Sequence, residues 1–123
     1  MPITIYIVED DESVGRSLER LLRSAGFLPT VFTSVDAFMA RAPFDAHGCV
    51  IADVQMRGGS GLELTRRLKD GGSAIPVILL TAQDSDELRS EAKRSGFAAF
   101  FRKPVDDQAL IDAIEWSLNQ ERE

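Results

Sequence analysis

The stretch ITIYIVEDDES, residues 3–13, joins an apolar run to an uninterrupted row of four acids. Residues 3–8 have the length and the Ile and Val content of a strand that is buried on both faces of a sheet. The acids at residues 9–12 follow at once, although adjacent like charges repel one another. So much negative charge after a strand indicates the start of a helix, a bound cation, or both.

Four more short apolar runs lie at residues 27–32, 49–52, 77–80 and 98–101, and segments of helical period separate them. The strand–helix unit therefore occurs five times, which is typical of a parallel sheet with helices on both faces. Right-handed crossovers leave few ways to connect such a sheet. We expect an α/β fold whose five-stranded parallel sheet has the flavodoxin-like order 2-1-3-4-5, with five helices on its two faces.

Capping residues predict where several of the helices begin. Ser34 is suited to be the N-cap of a short second helix. Ser60 with Glu63 predicts a capping box at the third helix, and Asp84 with Glu87 resembles another at the fourth. The fourth helix carries few large apolar residues, so we expect it to be weakly held. The last helix has a clear apolar stripe, formed by Leu110, Ala113, Ile114, Ser117 and Leu118.

Length and composition indicate one globular domain. The chain has 123 residues, of which 44% are hydrophobic and 28% charged. Its net charge is −6, whereas a protein that binds nucleic acid usually carries an excess of positive charge. No apolar stretch approaches the roughly 18 residues of a membrane helix, and the N-terminus lacks the basic start of a signal peptide. We therefore expect a cytoplasmic protein that does not contact the membrane.

The residues that follow the apolar runs are polar and chemically related. Because the carboxyl ends of parallel strands meet at one edge of a sheet, we expect these residues to lie close together. They are Glu9 and Asp10 after the first run, Asp53 after the third, Thr81 after the fourth, and Lys103 close behind the fifth. Asp11 and Glu12 instead suit the start of the first helix, where the helix dipole favours negative charge.

Three clustered carboxylates need a cation, and hard oxygen ligands suit Mg²⁺ or Mn²⁺. The predicted site is one for metal-assisted phosphoryl transfer, with Lys103 available to hold a phosphate oxygen. A carboxylate can itself be the nucleophile and form an aspartyl phosphate. Asp53 is the best candidate, because it is central and the glycine-rich loop at residues 58–61 leaves room for an incoming group.

The chain resembles a response-regulator receiver domain of two-component systems over essentially its whole length. The matching motif consists of Glu9-Asp10, Asp53, Gly61 eight residues later, Thr81-Ala82 and Lys103-Pro104. The resemblance implies a single receiver domain over residues 1–123. It also implies phosphoryl transfer from a sensor histidine kinase, or from a small donor such as acetyl phosphate. Such a domain catalyses its own phosphorylation and dephosphorylation, yet it acts as a signalling switch.

The resemblance assigns a role to each acid of the predicted site. Asp53 takes the position of the phosphoacceptor, and Asp10 that of the direct metal ligand. Glu9 takes the outer-sphere acidic position, and the main-chain carbonyl of Gln55 that of a further ligand. The implied cofactor is Mg²⁺, or Mn²⁺ in its place.

Further roles follow from the same resemblance. Thr81 corresponds to the hydroxyl that hydrogen-bonds the phosphoryl group, and Lys103 to the lysine that ion-pairs with it. Phe100 stands where the family has an aromatic residue that changes rotamer together with Thr81. The Lys103-Pro104 peptide bond is cis in the family. We hypothesise that the side chains of Gln55 and Gln83, which flank the site, set the rate of dephosphorylation.

One position departs from the family's pattern. Arg57 stands four residues after Asp53, where the family often has a proline. This replacement predicts a less rigid loop after Asp53, whose path the sequence leaves open.

Two segments, IYIVEDDESV and FRKPVDDQALIDAI, are most similar to the FixJ-type subgroup, whose receivers usually precede a LuxR-type helix-turn-helix. The resemblance implies that DNA is contacted only through an output domain that lies outside this chain. It leaves open a homodimer that depends on phosphorylation. The alternative function is a receiver-like interaction module that is never phosphorylated.

Overall fold

The computed structural model describes residues 2–42 and 44–121 and contains one five-stranded parallel sheet. The strands are β1 Thr4–Val8, β2 Leu28–Phe32, β3 Cys49–Asp53, β4 Val77–Thr81 and β5 Ala99–Arg102. Their spatial order is β2-β1-β3-β4-β5, and every neighbouring pair is parallel. The predicted fold class and strand order are therefore confirmed.

A helix follows each strand, as the alternating pattern predicted. The helices are α1 Glu12–Ser24, α2 Val35–Met39, α3 Gly61–Asp70, α4 Asp86–Ser95 and α5 Asp107–Glu121. None of the described helices combines the length and the hydrophobicity of a membrane-spanning segment.

Two cores lie on opposite faces of the sheet, because successive side chains of a strand point to opposite sides. On one face, Ile5 and Ile7 of β1 pack with α1 and α5. On the other face, Tyr6 and Val8 of the same strand pack with α2, α3 and α4. β3 and β4 alternate in the same way, so the three central strands are apolar on both faces. In β3 and β4 the polar side chains, Asp53 and Thr81, are the last residues of their strands.

Local side-chain caps set most of the helix starts. Asp11 is the N-cap of α1 and accepts hydrogen bonds from the backbone N–H groups of Ser13 and Val14. Ser34 and Ser60 cap α2 and α3 as predicted, although the Ser60 hydroxyl accepts its hydrogen bond from the N–H of Leu62 and not from that of Glu63. Asp11 therefore serves the helix, whereas its neighbour Asp10 remains available to the site.

The predicted capping box of Asp84 and Glu87 is wrong. The N-cap of α4 is Ser85, whose hydroxyl accepts a hydrogen bond from the backbone N–H of Leu88. The Asp84 carboxylate instead binds the guanidinium of Arg89 through two hydrogen bonds of 2.6 Å each. A charge-assisted bidentate pair is stronger than a single capping bond, and it removes Asp84 from the helix terminus.

Candidate functional site

The carboxyl ends of β1, β3, β4 and β5 place five predicted side chains at one edge of the sheet. Val8 pairs with Ala52 across β1 and β3, so Glu9 and Asp53 follow at the same level. Asp53 pairs in register with Leu80 of β4, directly before Thr81. Thr81 in turn pairs with Arg102 of β5, the residue before Lys103. Side chains that are distant in the sequence thus meet because the strands end together.

Lys103 joins two acids at the centre of this site. Its Nζ lies 2.6 Å from Oε1 of Glu9 and 2.9 Å from Oδ2 of Asp53. Glu9 is 2% exposed and Asp53 is 7% exposed, whereas the Lys103 side chain is 20% exposed. The peptide bond between Lys103 and Pro104 is cis. The ammonium therefore bridges two buried carboxylates that would otherwise face each other without compensation.

The electrostatics of this group follow from its burial. Burial raises the pKa of Glu9 above the ordinary value of a glutamate, although the hydrogen bond from Lys103 lowers it in part; the charge of Asp53 adds to the increase. For Lys103, burial by itself lowers the pKa, but hydrogen bonds to Glu9 and Asp53 outweigh it and raise the pKa above the usual lysine value. The ammonium therefore stays protonated at neutral pH.

Asp10 completes a cluster of three acids that is suited to a metal ion. One carboxylate oxygen from each of Glu9, Asp10 and Asp53 lies within 4.8 Å of the other two. Only hard oxygen atoms are contributed, which is the donor set that Mg²⁺ and Mn²⁺ prefer. Lys103 is ion-paired with both Glu9 and Asp53, whereas the Asp10 carboxylate accepts a hydrogen bond from the loop after β3. The donor set therefore fits the predicted cation.

The loop after β3 is tied to this cluster by a contact that the sequence did not reveal. The backbone N–H of Arg57 donates a 2.9 Å hydrogen bond to Oδ2 of Asp10. The loop also closes on itself, because Met56 N donates to the carbonyl of Gly59. A proline at position 57 has no N–H and could not make the bond to Asp10. Arg57 thus supplies an anchor that the family's common proline lacks.

Gly61 allows α3 to begin directly against the end of β3. A Cβ at this position would lie 2.8 Å from the carbonyl oxygen of Asp53 and 2.8 Å from Cδ2 of Leu79. Backbone cannot yield at such a distance, so any larger residue would displace the phosphoacceptor candidate. The requirement for glycine here is steric and acts on the site itself.

Gln55 lies beside Asp53 through both its backbone and its side chain. Its backbone N–H donates a 3.1 Å hydrogen bond to Oδ1 of Asp53. Its side-chain amide contacts that of Gln83 at 3.4 Å, and both residues are exposed. The two glutamine side chains therefore contact each other close to Asp53.

The Thr81 hydroxyl is bound to the loop that follows β4. Thr81 is fully buried, and its Oγ1 donates to the carbonyl of Gln83 at 2.6 Å. The same oxygen accepts the backbone N–H of Gln83 at 3.1 Å. Thr81 is thus at the predicted position, but its proton is used by the loop rather than by the acid cluster.

Phe100 packs against the core face that holds α2, α3 and α4 and is partly buried. Its ring lies 5.7 Å from that of Phe97, and the guanidinium carbon of Arg89 lies 5.4 Å from its centroid. The resemblance predicted a switching role for Phe100, but no feature of the sequence pointed to its contact with Arg89. No local pattern could have done so, because Arg89 and Phe100 belong to different elements.

Comparisons with known proteins place this geometry in a family. The sequence model of the response regulator receiver domain family matches residues 5–115 of this chain. The transcriptional regulatory protein FixJ of Azorhizobium caulinodans is 40% identical over 122 residues, which are 98% of this chain and 57% of that protein. The crystal structure of FixJ-N is similar, with a TM-score of 0.88 and 35% identity, and the match covers 97% of this chain and 95% of that one.

Full-length FixJ from B. japonicum is also similar, with a TM-score of 0.87 and 38% identity. The match covers 95% of this chain but 58% of that one. The chain therefore spans little more than half the length of its full-length relatives.

Proposed function

The chain belongs to the response regulator receiver domain family, in the branch similar to FixJ, and we propose that it accepts a phosphoryl group on Asp53. The observation that carries this proposal is the buried Asp53 carboxylate, 2.9 Å from Lys103 Nζ and clustered with Glu9 and Asp10. The similarity to FixJ-type regulators does not favour the alternative of a module that is never phosphorylated.

In the proposed reaction, a carboxylate oxygen of Asp53 attacks the phosphorus of a phosphohistidine or of acetyl phosphate. The new O–P bond forms as the bond from phosphorus to the donor breaks, and the donor leaves with that electron pair. The 2.9 Å ion pair of Lys103 with Asp53 supports a role in which the ammonium pairs with the phosphoryl oxygens. Its fixed positive charge needs little reorganisation during the transfer, which is what electrostatic stabilisation requires.

The donor set supports a Mg²⁺ or Mn²⁺ site at the same place. Asp10, Asp53 and the main-chain carbonyl of Gln55 would hold the ion, and Glu9 would act from the outer sphere. When bound, the ion supplies positive charge that offsets the charge of the phosphoryl oxygens. The hydrogen bond from Arg57 N–H to the Asp10 carboxylate supports this role, since it limits the orientations that the carboxylate can take.

Phosphorylation would then act on Thr81 and Phe100. A phosphoryl group adds negative charge and strong acceptor oxygens. The Thr81 hydroxyl would turn from the Gln83 carbonyl towards the new acceptor, and Phe100 would turn inward. The surface formed by α4, β5 and α5 would change with them.

The remaining proposals concern the extent of the domain, its partners and its location. We propose that residues 1–123 form one receiver domain, with a sensor histidine kinase as the physiological donor. The output would be control of transcription through a DNA-binding domain outside this chain, with a phosphorylation-dependent homodimer as one means of control. We propose the cytoplasm as the location.

The decisive experiment measures the intact mass of the protein after incubation with acetyl phosphate and Mg²⁺. We expect one phosphoryl adduct, which is absent from Asp53→Asn and is lost when EDTA replaces the metal. Asp11→Asn is the matched control, since Asp11 caps α1 and should not affect the adduct. No adduct from acetyl phosphate or from any histidine kinase would refute the proposal.

A further inference from the structure

Arg89 is fixed by a carboxylate on one side and faces an aromatic ring on the other. Its Nε and one terminal nitrogen donate to the two oxygens of Asp84, each at 2.6 Å. Its guanidinium carbon lies 5.4 Å from the centroid of the Phe100 ring, which is the geometry of a cation–π contact. A planar guanidinium can do both at once, because its edge serves the carboxylate and its face serves the ring.

Asp84 and Phe100, the two partners of Arg89, both belong to segments that move in the proposed switch. Asp84 directly follows Gln83, whose backbone holds the Thr81 hydroxyl through two hydrogen bonds. Phe100 is the aromatic residue of β5 that is expected to turn together with Thr81. Arg89, on α4, thus connects the loop at Asp84 to the ring of Phe100.

We propose that Asp84, Arg89 and Phe100 form a latch that stabilises the unphosphorylated conformation, with Arg89 as its positioning residue. This inference rests on the proposed phosphorylation of Asp53. For Thr81 to reach a phosphoryl group, its two bonds to Gln83 must break, and the adjoining Asp84 must shift. For Phe100 to turn inward, its ring must leave the guanidinium that Asp84 holds in place. Both movements therefore require the contact of Arg89 with Asp84 and Phe100 to break.

The charges around Asp84 agree with a strong contact at an exposed site. The hydrogen bond and the charge of Arg89 lower the pKa of Asp84, and the more distant Arg102 lowers it further. Asp84 raises the pKa of Arg89 in turn. The helix itself adds little resistance, since Ala92 and Ser95 are the buried residues of α4. The latch therefore adds to the contacts of Ala92 and Leu88 that hold α4 in position.

The expected size of the effect is modest and measurable. An exposed ion pair changes an equilibrium constant by about two- to fivefold, and an exposed cation–π contact by a similar factor. Because the latch stabilises only the unphosphorylated state, its removal favours the conformation that binds a phosphoryl group. We expect beryllofluoride, a phosphoryl analogue, to bind Arg89→Ala about three- to tenfold more tightly than the wild type.

The test is a titration of beryllofluoride into the Mg²⁺-loaded protein, followed by ¹⁹F NMR of the bound analogue. Arg94→Ala is the matched control: it removes the same charge from the same helix, but Arg94 binds the carbonyl of Ser90 and not the ring of Phe100. We expect Arg94→Ala to bind as the wild type does. Mg²⁺ affinity should be unchanged in both variants, which separates the latch from general damage to the site.

A double-mutant cycle tests whether the residues act together. Asp84→Ala should tighten binding as Arg89→Ala does, and the double variant should gain little more, because either change opens the latch. Arg89→Lys keeps the charge but loses the bidentate geometry, so it should fall between wild type and Arg89→Ala. The gain should also shrink at high salt, since exposed charges are screened.

The outcomes separate the latch from the proposed function. Tighter binding in both single variants without additivity supports the latch. If the wild type binds beryllofluoride but Arg89→Ala binds equally or more weakly, or if the two changes are fully additive, the latch is refuted and phosphorylation of Asp53 still stands. If the wild type does not bind the analogue at all in the presence of Mg²⁺, the phosphoacceptor proposal fails, and the latch fails with it.

Discussion

Replacement of Asp10 by asparagine should make the metal-free protein more stable, although it removes a residue of the proposed site. The three carboxylates of Glu9, Asp10 and Asp53 lie within 4.8 Å of one another, while Lys103 contributes the positive charge bound to two of them. Asparagine has nearly the same shape and can still accept the hydrogen bond from Arg57 N–H. The substitution therefore removes the charge and little else.

The magnitude follows from the geometry. Two unit charges 4.8 Å apart repel by about 3.5 kcal/mol at an effective dielectric constant of about 20. Lys103 offsets much of that repulsion, and Asp10 is partly exposed to solvent. We expect the free energy of unfolding without metal to rise by about 1 kcal/mol in Asp10→Asn. Mg²⁺ at about 100 times its dissociation constant should add about 2.7 kcal/mol to the wild type and much less to the variant.

The assay is urea unfolding followed by circular dichroism, with EDTA and with saturating Mg²⁺, for wild type, Asp10→Asn and Asp11→Asn. Asparagine caps a helix about as well as aspartate, so Asp11→Asn should keep both the stability and the Mg²⁺ response of the wild type. The order of stability should therefore reverse on adding metal: Asp10→Asn is higher without Mg²⁺ and lower with it. A metal-free Asp10→Asn that is less stable than wild type, or one that keeps the full Mg²⁺ response, would refute the electrostatic reasoning.

Four further predictions concern the same site. Lys103→Met should lower the free energy of unfolding by about 2 kcal/mol without metal, because it leaves Glu9 and Asp53 buried without their counter-ion. In the same urea assay, the control Lys93→Met, on the exposed face of α4, should leave the free energy of unfolding nearly unchanged. The pKa of Glu9 is raised in the folded state, so the stability that protonated Glu9 contributes is present at low pH and is lost as pH rises through that pKa. The free energy of unfolding of the wild type relative to Glu9→Gln should therefore fall as pH rises through the pKa of Glu9. A difference that does not change with pH would contradict burial as the cause of the shift. Gly61→Ala should lower the free energy of unfolding by about 1–3 kcal/mol and reduce phosphorylation, because its Cβ would meet the Asp53 carbonyl at 2.8 Å. The control Gly58→Ala, whose Cβ would lie 3.6 Å from Ser34, should change neither stability nor phosphorylation. The double variant Gln55→Ala, Gln83→Ala should change the lifetime of the phosphorylated protein, followed by loss of the mass adduct, and an unchanged lifetime would remove both glutamines from control of hydrolysis.

Where sequence reasoning went wrong, a distant or competing partner was responsible. Asp84 and Glu87 have the spacing of a capping box, but Asp84 is bound by Arg89 and Ser85 takes the cap. The spacing could not show this, because the choice depends on which of two nearby donors binds the carboxylate more strongly. The path of the loop at Arg57 was left open by the sequence, and the structure shows that the backbone N–H of Arg57 is bonded to Asp10.

The sequence alone determined the alternation of strands and helices, the buried faces of the strands and the location of the site, and it left a few strand orders, of which 2-1-3-4-5 was expected. Apolar runs buried on both faces, separated by helical stripes, require a parallel sheet, and a parallel sheet brings its carboxyl ends to one edge. Glu9, Asp10, Asp53, Thr81 and Lys103 could therefore be grouped from their positions after the runs. These inferences depend on local periodicity and on connection rules that nearly all parallel sheets of this pattern follow.

The tertiary structure alone decided which atoms bind one another within that group. It shows Lys103 shared between Glu9 and Asp53, the Thr81 hydroxyl bound to Gln83, and Arg89 placed between Asp84 and Phe100. Such pairings depend on differences of an ångström between side chains from separate elements, and on competition among several charged partners. Periodicity carries no information at that scale, since it records which face a residue occupies but not which neighbour it meets there.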